Sequence, residues 1–307
     1  MKKKRYFGRG VMFLLCLVFA AAFLLPTVLT ITNSFMSESE INSNYGMIFS
    51  TTTGGYISKH VNLKFIPDKV TFSQYVTGLV KSPAYLIKFW NSVILVLPIV
   101  LFQVAIAALA AYSFTRWRGK VRSLIFFFYV ILMLMPYQVT LVPNYLVAER
   151  LGTLNSRWAI ILPGVFAPFS VFLLTKFMRR IPYALIESAK IDGATEWRIL
   201  FSVILPLSKP ILATVLLFYA VDRWNEWYNA MIFLRRNDLI PLQLVLRTIV
   251  MDSNIVNSLS IAGPRVPRFT EGIQSATIIV TMLPIMCFFP FLQKYFVKGI
   301  MVGAIKA

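Results

Sequence analysis

Along this chain, long apolar runs alternate with short polar stretches in which Lys and Arg collect. A helix that crosses a bilayer needs about 20 mostly apolar residues. Six runs reach that length, at 11–31, 89–112, 124–145, 159–177, 211–230 and 278–296. The pattern predicts an all-α integral membrane protein with six transmembrane helices. Lys2, Lys3, Lys4 and Arg5 precede the first run, as they would in a signal peptide. The run is too long for a signal's apolar region, however, and Ala20, Ala21 and Ala22 are followed by more Phe and Leu. An uncleaved anchor is expected.

The runs divide the chain into a first part, 1–32, holding the N-terminus and first span. A polar loop follows at 33–86, and then a core domain at 87–307 with five spans. The loop 33–86 carries turn formers (Thr53, Gly54 and Gly55), and a second long loop, 231–275, carries Gly263, Pro264 and Pro267. Each is expected to form a small folded excursion, since long loops in compact proteins are usually functional or disordered. Pro26, Pro98, Pro136, Pro143, Pro163, Pro168, Pro284 and Pro290 lie in the spans. They predict kinked helices, but proline is commoner in membrane helices anyway, so they do not by themselves establish transport.

Charge then sets the orientation. With the N-terminus inside, segments 1–10, 114–122, 176–209 and 294–307 are cytoplasmic and hold 18 of the 31 Lys and Arg against three acids, Glu187, Asp192 and Glu196. The net charge of +19 is therefore mostly a topology signal, with both termini cytoplasmic. Only 14% of residues are charged and 58% are hydrophobic, with mean hydropathy +0.70. A nucleic-acid binder would gather its cations on one solvated surface instead. Cys16 and Cys287 both fall in apolar runs, and His60 has no His or Cys neighbours. Neither a disulfide framework nor a metal site or other cofactor is expected.

What the chain lacks narrows its function. Ion-coupled carriers place ionisable groups inside the bilayer, but the middles of these spans hold only neutral polar groups such as Gln103 and Thr281. The nearest ionisable groups, Asp222, Arg223 and Glu226, lie in the outer half of the fifth run. No GxxxxGK[ST] loop is present, so active transport would draw on a separate ATP-hydrolysing subunit through a cytoplasmic contact. A self-contained channel or facilitator for small polar solutes is the alternative.

The longest cytoplasmic segment contains ESAKIDGATEW at 187–197. Pro182 suits a helix's first turn, so a coupling helix is expected over about 183–195. Glu187 shares a face with Lys190 and Ile191, while Leu185, Ser188, Ala189 and Asp192 make a narrow adjoining face of mostly small residues. Gly193 ends the helix or permits a positive φ, and Ala194 and Thr195 can start a second helix. Two short helices with a small-residue joint would suit a partner's cleft. An amphipathic loop lying on headgroups is the other reading, although the large apolar face of such an anchor is missing.

Glu187-Ser188-Ala189, Asp192-Gly193-Ala194, Ile204-Leu205-Pro206 and Pro210 together resemble the EAA signature of ABC importer permease subunits. Ser188 replaces the usual alanine and keeps the position small. Trp224-Asn225-Glu226 and the ending VKGIMVGAIKA resemble the MalG-like branch of carbohydrate importers, and 64–75 and 291–306 are similar to permeases for complex oligosaccharides. The resemblance implies a type I ABC importer permease fold. It also implies a second permease subunit, a dimeric ATP-binding subunit and an extracytoplasmic solute-binding protein. Glu187, Ser188, Ala189, Asp192, Gly193 and Ala194 would dock on the ATPase, with 299–307 at the same interface, and 231–275 would face the binding protein. The chain itself would not be an enzyme.

Sugars stack on aromatic rings and hydrogen-bond to amides and carboxylates. Asn91, Trp224, Asn225 and Glu226 offer that chemistry and are candidates for the substrate pathway, though Trp also anchors helices at membrane interfaces. Arg235, Arg236, Arg247, Arg265 and Arg268 could steer an acidic saccharide. They equally fit a solvated face or an acidic binding protein.

Overall fold

The computed structural model describes residues 2–45, 62–77, 83–248 and 271–304, and every regular element among them is helical. His60, Gly54, Gly55, Gly263, Arg265, Arg268 and the last three residues lie outside the described residues. The chain forms two compact units, Met1–Leu86 with Val245–Leu283, and Ile87–Leu244 with Pro284–Ala307. Residues 245–283 group with the N-terminal part.

In the first unit, α1 (Lys2–Ser34) is followed by α2 (Glu38–Tyr45) and a single turn, α3 (Ser73–Tyr75). The polar loop folds onto the end of α1. The Thr32 hydroxyl donates to the Phe65 carbonyl at 3.1 Å, the Ser34 and Tyr75 hydroxyls lie 2.7 Å apart, and the Thr71 N–H donates to the Phe35 carbonyl at 2.8 Å. Glu40 accepts from the Asp68 N–H at 2.7 Å and pairs with Lys64 at 3.2 Å. Burial of Met36, Ile41 and Tyr45 completes this small excursion.

The second unit is built around α4 (Pro83–Arg116), followed by α5 (Lys120–Leu134), α6 (Tyr137–Arg150), α7 (Trp158–Val165) and α8 (Pro168–Met178). Then come α9 (Ala184–Ile191), α10 (Glu196–Ile199), a π-helical turn at Leu200–Ile204, α11 (Leu205–Leu207), α12 (Lys209–Trp224) and α13 (Tyr228–Phe233). The long last helix, α14 (Glu271–Ala304), begins in the first unit's residues and ends in the second's.

Among the described residues, four helices are long and apolar enough to cross a membrane: Gly10–Ser34, Tyr85–Arg116, Trp158–Met178 and Gly272–Pro290. The other two predicted runs differ from single straight spans. The run at 124–145 is bent by 105° between α5 and α6, and the chain entering the run at 211–230 is bent by 75° between Glu196–Leu207 and α12. Proline causes the first break: the residue before a proline is pushed out of helical geometry, and Met135, before Pro136, has ψ of 128°. At the second break, Ser208 leaves helical geometry just before Pro210 takes the first turn of α12.

The unit has two buried clusters at opposite ends of α4. One joins Leu95 and Ile99 to Ala159, Ile160, Ala230 and Phe233; the other joins Ala107, Ala108 and Ala111 to Val171, Leu174, Ile186, Ile199, Ile204 and Val215. In lipid, helices associate through close packing and small residues rather than by escape from water. The alanines of α4 pack there with side chains of α8, α9 and α12. Gln103 and Ser170, both wholly buried, link α4 to α8 with an amide-to-hydroxyl bond of 3.4 Å, so Gln103 is a packing group.

Replacing Ala111, which is wholly buried, with Leu is expected to cost about 1–3 kcal/mol through overpacking. Leu97→Ala, at an exposed position on the same helix, is expected to change stability by less than about 0.5 kcal/mol. Melting temperatures of the two purified variants in one detergent check the contrast.

Candidate coupling elbow and solute groove

The elbow between α8 and α12 is built by local backbone chemistry. Glycine at the end of a helix allows the left-handed turn that satisfies its last carbonyls. Gly193 sits at φ +76°; its N–H donates to the Lys190 carbonyl at 3.0 Å and the Ala194 N–H donates to the Ala189 carbonyl at 2.9 Å. This double bond pattern is a Schellman motif, and it closes α9. The Thr195 hydroxyl then accepts the Arg198 N–H at 3.4 Å and opens α10. Both readings of Gly193 hold, since it ends the helix by adopting a positive φ.

Glu196 fastens this elbow to the end of α4. The Tyr112 hydroxyl donates to one of its carboxylate oxygens at 2.5 Å, Arg116 spans both oxygens at 3.3 Å, and Lys190 reaches it at 2.8 Å. The Arg116 guanidinium also lies 5.5 Å from the Tyr183 ring centre, just before α9. Hydrogen bonds from Lys190 first and Tyr112 second hold the Glu196 carboxyl down to about 2. Beneath these contacts Ile186, Ile199, Leu200 and Ile204 are buried against α4 and α8. The elbow is thus one piece with the spans that carry it.

The predicted docking residues divide into two sets. Glu187, Ser188, Asp192 and Gly193 are exposed, and neither acid has an ion pair among the described residues. Ala189 and Ala194 turn inward and pack on the buried cluster. Lys190, which shares a face with Glu187 in sequence, pairs with Glu196 instead. Sequence reasoning counted Glu196 only as a charge and passed over Ile191, which stands 86% exposed. The signal for Glu196 was its place in the first turn after an N-capping Thr, although its partners on α4 are distant in sequence. The bulky exposed rings of Trp197 and Phe201 stack on each other, 17° from parallel, on the rest of this surface.

At the other end of the unit, the candidate pathway residues separate again. Asn91 is buried: both amide hydrogens are used, on the Asp238 carbonyl at 2.5 Å and the Ile240 carbonyl at 3.2 Å, and its oxygen accepts from Arg157 at 3.0 Å. It pins the loop after α13 to α4. Trp224 is also buried, edge-on to Phe89 with ring centres 5.7 Å apart. Asn155, at φ +60°, binds the same loop by accepting the N–H groups of Arg235 and Arg236 at 2.9 and 2.8 Å. Asn tolerates the left-handed region, but nothing in its sequence neighbourhood announces the distant partners.

Asn225 and Glu226 instead line a groove of about 630 Å³ with Asp222, Trp227 and Phe289. Asn225 is exposed and its oxygen accepts from Gln243 at 3.1 Å; Glu226 accepts the N–H groups of Tyr228 and Asn229 at 2.9 and 3.0 Å. Glu226 thereby stabilises the break between α12 and α13 that forms the groove wall. Carboxylates, an amide and an indole in one concave surface can bind a polyhydroxylated solute by hydrogen bonding and ring stacking.

Comparison with known proteins places this architecture. Protein LplC of Bacillus subtilis (strain 168) is 32% identical over 285 residues, covering 92% of this chain and 89% of its own. The polygalacturonan/rhamnogalacturonan transport system permease protein YtcP of the same organism is 32% identical over 292 residues, covering 94% and 95%. The fold is similar to that in the crystal structure of a bacterial ABC transporter involved in the import of the acidic polysaccharide alginate, with TM-score 0.78, 25% identity, and coverage of 96% of this chain and 98% of that one. Residues 103–302 match the family described as binding-protein-dependent transport system inner membrane component. With the elbow, the broken spans and this match together, the chain belongs to that family of membrane transport permeases.

Proposed function

We propose that this chain is one of two permease subunits of an ATP-driven importer for an oligosaccharide or polysaccharide fragment. The observation that carries the reading is the elbow at 184–199, exposed on its outer surface yet rooted in the span core. A rigid elbow of this kind transmits motion, because bistable packed elements convert a local displacement into a rocking of whole helices. A separate ATP-binding subunit docks on Glu187, Ser188, Ile191, Asp192 and Gly193, while Ala189 and Ala194 support that surface from beneath. Nucleotide-driven closure of the ATPase pair then moves the elbow and its spans by alternating access. Six spans, with α5 and α6 crossing once and α12 forming the fifth, and cytoplasmic termini fit the charge distribution of the sequence. The loop after α13 faces the extracytoplasmic solute-binding protein.

The sugar class is supported by relatives named for polygalacturonan/rhamnogalacturonan and arabinooligosaccharide transport and by the chemistry of the groove. Asn225 and Glu226 contact solute there, joined by Asp222 and Trp227. Asn91 and Trp224 act at one remove, by fixing the loop and helix that shape the groove.

Mild-detergent extraction of the native membrane is expected to bring down a second permease and an ATPase with this chain; recovery of the chain alone would mean a self-contained facilitator. A Cβ at Gly193 meets nothing within 4 Å, so Gly193→Leu strains the backbone, by about 1–2 kcal/mol, without an internal clash. We expect insertion to persist and uptake to fall by roughly tenfold for that loss of the turn, with Gly193→Asn recovering most of it. Full uptake by the Leu variant, or by Glu187→Lys, removes the position from the docking surface.

A third expectation concerns Glu196. Its carboxyl is depressed to about 2, so the tether is complete above the ordinary carboxylate value near 4.5 and lost only as pH falls toward 2. Transport per ATP should therefore show no loss traceable to this group between about pH 5 and 8. Glu196→Gln should lower transport per ATP across that whole window. Equal coupling in variant and parent would show that the ion cluster is dispensable.

A further inference from the structure

Between α8 and α12 lies a cleft of about 220 Å³ that the transport reading leaves without a role. Its walls divide by chemistry. Lys176 and Arg180, one turn apart at the end of α8, supply two cations, while Leu173, Phe177, Pro210 and Ile211 supply apolar surface. Both cations are exposed, and neither has an ion pair among the described residues. Lys176 lies 5.4 Å from the Phe172 ring centre, a contact that positions its ammonium without neutralising it. The N-terminal turn of α12, with Pro210 in it, borders the same cleft. A helix start adds positive potential.

We propose that this cleft binds one anionic phospholipid of the inner leaflet, its phosphate on Lys176 and Arg180 and an acyl chain along Leu173, Phe177 and Ile211. The inference rests on the cytoplasmic placement of 176–209. Charge and greasiness are both needed to choose this occupant. A soluble anion would gain nothing from the apolar wall, and an apolar partner helix would leave two uncompensated cations. Basic pockets between spans on the cytoplasmic side suit anionic headgroups, with each Lys or Arg near the surface worth about a fivefold gain in binding. A lipid wedged between α8 and α12 would also bear on the two helices that flank the elbow, so bilayer composition could tune coupling.

The test uses native mass spectrometry of the full-length chain in detergent, titrated with phosphatidylglycerol or with phosphatidylcholine of the same acyl chains. The parent is expected to retain one phosphatidylglycerol at roughly tenfold lower concentration than phosphatidylcholine. K176Q/R180Q should abolish the preference, K176R/R180K should keep it, and R118Q/K120Q, at another basic site of the same face, should leave it intact. Unaltered preference in K176Q/R180Q overturns the proposal, as does equal loss in R118Q/K120Q, which would mean a diffuse charge effect. Displacement by glycerol phosphate as readily as by the lipid would assign the site to a soluble anion and overturn it too. A preference retained in K176A/R180A settles the matter in the same direction should the Gln pair misfold. The readout needs no ATPase, so it can fail while the importer reading stands.

Discussion

One carboxylate, Glu196, does what the rest of the elbow depends on. It gathers a hydroxyl and a guanidinium from the end of α4 and an ammonium from α9. The backbone turn at Gly193 sets the angle between α9 and α10, but a turn alone would leave the elbow hinged on its own chain. The ion cluster turns a local bend into an extension of a membrane span. Exposed ion pairs singly contribute little; a network that also sits above buried Ile186, Ile199 and Ile204 is a different case, because packing already holds its members in place.

Close packing beneath that cluster ties the elbow to the spans. The alanines of α4 share a buried cluster with residues of α8 and α12, and Gln103 with Ser170 adds a polar link between α4 and α8. At the far end of α4, Asn91, Ser92 and Lys88 bind the loop after α13 through the Asp238 and Ile240 carbonyls, the Leu242 N–H and Asn237. One helix therefore carries the elbow at one end and the groove's supporting loop at the other.

Much of this was legible in sequence, for physical reasons. Apolar run length exposes a spanning helix directly, and a glycine between two helix-forming stretches announces a turn with positive φ. The bend at Pro136 was legible as a kink but not as a 105° break, because the angle depends on what the two halves pack against. Asn91 and Trp224 carried the right chemistry for a sugar, yet they are interior groups; a side chain's hydrogen-bond partners across 147 residues of sequence are not written in its neighbours. Glu196 failed to stand out for the same reason, its partners lying 80 and 84 residues away. Ala189 and Ala194 were recognised as small, but small residues serve equally to admit a partner or to pack inward, and here both pack on the buried cluster.

The most direct measurement of the central claim is the distance between spin labels on exposed positions of α9 and of the α4 end near Arg118, followed through the nucleotide cycle of the assembled importer. A welded elbow predicts a separation that changes by less than about 2 Å while labels on the groove wall move relative to the other subunits. A change of about 5 Å or more, the size of a helical ratchet, would mean that the elbow swings on its own and that the Glu196 cluster does not tie it to the span.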